Sequence, residues 1–337
     1  SANNGSTGLE LFHYDGSTAS LLADINPGAT GSELGELTIV GSICMFHAND
    51  GTNGMELWEA NSSGANMVVD LNPGAMNSNP WELTVLGSKL YFRAIDNVVG
   101  EELWVWNSGS VTNVADINPG AHPNSAFPKN ITAIGTDLYF AASDGSNGFE
   151  PYVYDGTSVT LLDNISSGAT NSNPEVFTLL GDYVFFTAET GETGRELYHH
   201  DLLTGNIALE ADIYPGATGS NPADLVPYGD ELVFSADDGT DGIELWHSEC
   251  ELMASISEEE MELVNVYPNP VNGELTVELQ VDGMLEIQLT DRSGKVIEEL
   301  KTSDSSVVID LSELADGVYF LQVTNNVAHE VRKIIKQ

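Results

Sequence analysis

Residues 50–58 read DGTNGMELW, a turn followed by a short apolar strand, and the same phrase recurs along the chain. It returns as DNVVGEELW ending at Trp104, DGSNGFEPY at Tyr152, TGETGRELY at Tyr198 and DGTDGIELW at Trp246, with an opening NGSTGLELF at Phe12. The glutamates Glu10, Glu56, Glu102, Glu150, Glu196 and Glu244 are spaced by 46, 46, 48, 46 and 48 residues. So regular a period means tandem copies of one supersecondary unit. Each copy holds four strand-like runs, seen as Glu102 to Trp106, Val111 to Ile117, Asn130 to Ile134 and Leu138 to Ala142, bounded by Gly, Pro, Asn or Asp. Helical periodicity is absent. Between the second and third runs lies a DINPGA loop, at Asp24 to Ala29, Asp116 to Ala121 and, as DIYPGA, Asp212 to Ala217. Pro-Gly there predicts a tight type II turn. The fourth copy keeps the Gly and loses the Pro, as NISSGA.

Four strands in about 45 residues, repeated five times, predict an all-β chain built as a β-propeller of about five four-stranded blades. Six ELW-type strands stand against five DINPGA-type segments, so the first and last ELW strands compete for one place, or upstream residues add blades. Ala2 to Gly5 (ANNG) aligns with Ala48 to Gly51 (ANDG), so the chain is expected to start within a hairpin turn and any export signal to lie upstream.

The 337 residues carry 52 acids against 10 bases, a net charge of −42. Nucleic acid is excluded as a partner, because phosphates are bound through Lys and Arg clusters absent here, and anionic lipid is disfavoured. No run of about 18 apolar residues exists to span a bilayer. The two cysteines, Cys44 and Cys250, have no metal-ligand spacing. Cys44 occupies a position held elsewhere by Leu90, Leu138, Val184 and Leu232, which favours a buried thiol over a Cys44–Cys250 bridge.

ELW followed by a DG turn and then DINPG resembles the ELWxxDGT repeat of secreted bacterial proteins, over about Asn4 to Trp246. The DGT turn survives as Asp15-Gly16-Ser17 and Asp155-Gly156-Thr157, becomes Asn61-Ser62-Ser63 and Asn107-Ser108-Gly109 elsewhere, and Glu150-Pro151-Tyr152 breaks the ELW core. That resemblance implies a propeller-like repeat and no particular chemistry.

The period stops after Trp246, and an acidic stretch at 251–263 separates residues 1–250 from a different segment at 264–337. This last segment holds 6 of the 10 basic residues and shows alternating strands at Glu274 to Val281, Leu285 to Thr290, Val307 to Leu311, Val318 to Thr324 and Glu330 to Ile335. Such a pattern predicts a small immunoglobulin-like sandwich. VYPNP (Tyr267, Pro268, Asn269, Pro270), DRSGKVI (Asp291, Gly294, Lys295), LADGVYF (Gly317, Val318, Tyr319) and the final RKIIKQ (Lys333, Lys336) resemble the type A sorting domain of the type IX secretion system of Bacteroidota. The resemblance implies export across the outer membrane by a translocon and its attachment machinery, to a secreted or cell-surface location. Pro268 and Pro270 suit an edge strand, and Gly294 and Gly317 suit hairpin turns.

Asp50, Asp96, Asp144 and Asp238 each precede a repeated glutamate (Glu56, Glu102, Glu150, Glu244) by six residues, which offers either a Ca²⁺ site or turn caps. Thr190 in one copy and a loop unlike an EF-hand favour caps. Asn164, in place of Asp24, Asp70, Asp116 and Asp212, points the DINPG position the same way. The aromatic residue closing each ELW run is expected to pack between blades rather than to stack on sugars. Residues found in one copy alone are the better ligand candidates: His47 and Arg93 at equivalent places after a strand, Trp81, Trp106, His122, His199 and His200. No nucleophile–base motif, HExxH or phosphate loop occurs, so no catalytic residue is assigned. The expectation is therefore a non-catalytic binding, adhesive or structural module, with a glycan or surface protein as ligand. A polysaccharide hydrolase and a calcium-stabilised scaffold are the alternatives.

Overall fold

The structure is a computed structural model that describes residues 1–249, 264–279, 285–291, 295–312, 314–315, 317–324 and 329–337. Among these there is no helix, and so none long and apolar enough to cross a membrane. The chain forms small antiparallel sheets in two compact units, Ser1–Leu252 and Met253–Gln337. The expected acidic linker and Cys250 lie outside the described residues, as does Gly294; Cys44 is a half-buried thiol.

Six sheets follow one another in the first unit. The first has three strands (Ala2–Asn3, Leu9–Tyr14, Ala19–Ala23). Four complete sheets follow, each paired in chain order: Gly35–Val40 to Gly64–Val69, Trp81–Leu86 to Ser110–Ala115, Lys129–Ile134 to Val159–Leu161, and Glu175–Leu180 to Ile207–Ala211. The sixth again has three (Ala223–Tyr228, Glu231–Asp237, Ile243–Glu249). The first and last ELW strands, Leu9–Tyr14 and Ile243–Glu249, stand in different sheets. One expectation is corrected: the four-run copy read from the sequence straddles two sheets, because the DINPGA loop joins one sheet to the next and is not a turn within one.

Alternation on each second strand binds the sheets together. Tyr91 faces forward into a core with Leu103, Ile131, Leu138 and Phe140, while Phe92 faces back into one with Met45, Leu57 and Leu83. Successive side chains of a strand point to opposite faces, so every second strand fills two cores. The ELW aromatics lie in these cores: Trp58, Trp104, Tyr152 and Tyr198 are buried. At the end of the series, Leu245 is 80% exposed, whereas its equivalents Leu57, Leu103 and Leu197 are fully buried beneath a following sheet.

The first strand of each later sheet, here the lead strand, lies beside the lead strand of the next. Each begins with a bulge, where the register shifts between Gly35 and Thr38, Trp81 and Thr84, Lys129 and Thr132, Glu175 and Thr178, and Ala223 and Val226. The bulged residues Glu36, Glu82, Asn130, Val176 and Asp224 have φ of 59°, 62°, 57°, 59° and 54°. A bulge of this kind bends the strand and re-aims the residue at its start.

The second unit has seven described strands in two sheets. Val264–Tyr267, Glu274–Leu279 and Ser306–Asp310 form one; Val296–Thr302, Leu285–Asp291, Gly317–Thr324 and His329–Lys336 form the other. Val264, Leu275, Val277 and Ile309 from the first meet Ile287, Leu289, Leu321, Val323 and Ile334 from the second in one core. Val264–Tyr267 is an edge strand that runs into Pro268 and Pro270, and Gly317 opens a strand opposite Lys336.

Candidate functional site

The repeated glutamates are frame, not site. Glu10, Glu56, Glu102, Glu150 and Glu196 are all fully buried, and each accepts hydrogen bonds from the loop that follows its own sheet. Glu102 takes the amides of Ile117 at 3.0 Å, Asn118 at 3.3 Å and Ala126 at 3.0 Å. Glu56 takes Leu71 N at 3.1 Å, Ser78 N at 2.9 Å and Ser78 Oγ at 2.5 Å. Glu150 binds Ile165 and Ser172 in the same manner, and Glu196 binds Ile213, Tyr214 and Ser220. Burial raises the carboxyls of Glu56, Glu102 and Glu150 to about 7. Glu244 is exposed.

Of the two readings offered for the Asp–Glu pairs, the hydrogen bonds match turn caps, and the paired carboxylates face different partners. Asp50 accepts the amides of Thr52 and Asn53 within its own turn, Asp96 those of Val98 and Val99, Asp144 those of Ser146 and Asn147, and Asp238 those of Thr240 and Asp241. Burial works to raise Asp50 and Asp144, yet these turn bonds outweigh it and hold both below the usual range. Among the described residues no three His, Cys, Asp or Glu side chains converge as a metal site.

Non-repeated residues do converge, at the starts of the lead strands. The first lead-strand residue stands opposite the residue after the repeated phenylalanine: Gly35 to His47, Trp81 to Arg93, Lys129 to Ala141, Glu175 to Thr187 and Ala223 to Ser235. A third place, just before the ELW glutamate, completes each trio with Met55, Glu101, Phe149, Arg195 and Ile243. In three consecutive sheets the trio is internally matched. Arg93 Nε lies 2.9 Å from Glu101, and Lys129 Nζ sits 3.9 Å from the centre of the Phe149 ring. Arg195 donates to Thr187 Oγ1 at 3.1 Å and Asn173 O at 3.0 Å, beside Glu175 and Glu189. Three of the four Lys and Arg in residues 1–252 thus occupy this band, one per sheet.

Between the second and fourth sheets the band carries two half-exposed aromatic side chains. Trp81 is 38% exposed and meets the His47 ring edge-on, with centroids 4.5 Å apart. Phe127, also 38% exposed, donates its amide to Glu101 O at 3.1 Å. Burial raises the Glu101 carboxyl, and the charges of Arg93 and His122 pull it back. His47 itself is buried, with Nδ1 3.0 Å from Pro80 O, and a side chain at Gly35 would collide with its ring. It therefore supports Trp81 rather than reaching a ligand. The band thus holds His47, Trp81 and Arg93, which stand out in the sequence, together with Glu101, Phe127, Lys129, Phe149 and Arg195, which do not. The missing signal was the strand register, which sets residues 12 apart opposite one another.

The other candidates lie elsewhere. Trp106 is buried in the core between the second and third sheets. His200 is buried with Nδ1 3.2 Å from Tyr139 OH, and its burial lowers its pKa. His199 Nδ1 lies 2.7 Å from Glu210, which also accepts Ser248 Oγ at 2.8 Å, a polar tie between the fifth and sixth sheets. Hydrogen bonding to His199 depresses the Glu210 carboxyl. In the second unit Asn269 accepts Ile335 N at 2.9 Å and donates to Lys333 O at 2.7 Å, and Tyr319 OH donates to Ala315 O at 2.9 Å. Asn269 thereby ties the VYPNP segment to the final strand.

No curated protein matches the chain. Among solved structures it is similar to PorZ, a surface component of the type-IX secretion system of Porphyromonas gingivalis, at 11% identity and TM-score 0.37, over 99% of this chain and 60% of that one. It is also similar to one of two prolyl endopeptidases, at 15% identity and TM-score 0.43 over 90% and 50% of the chains, and to a puromycin hydrolase, at 12% and 0.43 over 77% and 45%. The chain thus spans about half of the solved proteins it matches. Residues 265–337 match the secretion system C-terminal sorting domain, which marks the chain for the type IX machinery and for export across the outer membrane to the cell surface or extracellular space.

Proposed function

We propose that the chain is an exported, non-catalytic binding module. Its sheets are blades of an ELWxxDGT-type propeller, with the lead strands around the axis and the sorting domain as its export signal. The observation that carries this reading is the band of trios. Positions that build the frame repeat from sheet to sheet, while the places at the lead-strand starts change identity together and expose Trp81 and Phe127. Variation against a fixed scaffold is how a binding surface is made on a superfold. A hydrolase would need an acid and a base free to act on substrate. The carboxylates of the trios are instead paired with cations, Glu101 with Arg93 at 2.9 Å and Glu175 with Arg195 at 3.9 Å.

The test is to incubate the purified full chain with extracellular polysaccharides, whole cells and surface-protein extracts, following retention and reducing-end release together. Retention without product is expected. Product release at a steady rate would overturn the reading.

A further inference from the structure

Resting on that binding reading, we infer that the part of the band around Trp81 and Phe127 takes a neutral glycan, with pyranose rings stacked on these two side chains and hydroxyls bonded to the Arg93–Glu101 pair. Trp81 stands cross-strand from Arg93, and Phe127 hangs from the backbone of Glu101, so two half-exposed aromatic faces flank one ion pair. His47 braces Trp81 from beneath, and the collision a side chain at Gly35 would make keeps that support in place.

The ion pair selects the class of ligand. A guanidinium only donates hydrogen bonds and a carboxylate only accepts them. A sugar hydroxyl does both, so it can use both members of the pair at once. A uronate or sulfate would use Arg93 alone and be repelled by Glu101, and an amino sugar the reverse. The whole chain, at −42, adds a long-range penalty for any polyanion that salt only partly screens. Aromatic faces supply the apolar contact that the CH side of a neutral pyranose offers.

The test is affinity electrophoresis and calorimetry of the full chain against mannan, xylan and β-glucan, with polygalacturonate and chitosan as charged controls, at low and high salt. At least one neutral polymer should bind with little dependence on salt. Trp81→Ala and Phe127→Ala should each weaken binding about tenfold, Arg93→Met similarly, and Trp81→Phe much less. Circular-dichroism melting separates a binding loss from a folding loss, and if Trp81→Ala fails to fold, Phe127→Ala carries the test. Salt-sensitive binding of polygalacturonate or chitosan in place of the neutral polymers would overturn the ligand class. Neutral-glycan binding untouched by Trp81→Ala and Phe127→Ala would overturn the site while leaving the module a binder. Binding to no glycan at all would overturn the inference, and retention of a surface protein in the same assays would then still support the binding reading.

Discussion

Val176 occupies the left-handed bulge position that Asn130 and Asp224 fill in neighbouring sheets, at φ 59° and 41% exposed. A β-branched side chain there costs about 1–2 kcal/mol, and Asn tolerates the conformation far better. Val176→Asn should therefore raise the urea midpoint by an amount equivalent to about 1 kcal/mol, with the slope unchanged. The buried glutamates act in the other direction. Glu102→Gln exchanges one acceptor oxygen for an NH₂ group facing backbone donors, and should cost about 1–3 kcal/mol by the same measurement. Their titration also sets a pH dependence. Burial raises Glu56, Glu102 and Glu150 from 4.5 to about 7, so in that window the native state binds more protons than the unfolded chain. Their stabilising contribution is complete below about pH 4.5 and is lost as pH rises through about 7. The turn aspartates Asp50, Asp144 and Asp238 are lowered, and their contribution is lost only as pH falls below the usual 3.8. Melting temperature should thus be higher at about pH 5 than at about pH 8, and Glu102→Gln should flatten that difference.

At the scale of the element, the joint between sheets depends on glycine as much as on glutamate. Gly100 has φ +81°, and an added Cβ would overlap the carbonyl oxygen of Asn124 in the following loop. Gly100→Ala should cost roughly 2 kcal/mol or more, read as a lowered melting temperature, because neither the dihedral nor the loop can give cheaply. The sequence showed these joints as a motif, and its period identified the strands, the loops and the burial of the ELW aromatics. Where one sheet ends was not visible in it, because a Pro-Gly loop between sheets and a turn within one have the same composition. The role of the glutamate was hidden for a related reason. Beside an aspartate in a Gly-containing turn, an acidic residue reads as a cation ligand until its partners are seen to be the amides of a loop 15 to 24 residues further on. Arg93 and Trp81 were visible as exceptions to the repeat. Their neighbours Glu101 and Phe127 were not, since only the register places the positions together.

The whole molecule divides its chemistry between two units with separate cores. The last 74 residues hold six of the ten basic residues, while the first unit carries 36 of the 52 acidic residues and four of the basic ones. Calorimetry of the full chain should resolve two unfolding transitions, and raising the salt concentration should shift the transition of the acidic unit upwards more than the other. Within that unit the repeated residues make the frame, and in the proposed function the contact surface falls to the exceptions. The most direct test of that division is hydrogen exchange of the full chain with and without a retained ligand. Added protection confined to residues 79–101 and 127–149 is the expected result. Protection that appears instead around His199, Glu210 and Ser248, or within residues 264–337, would contradict it.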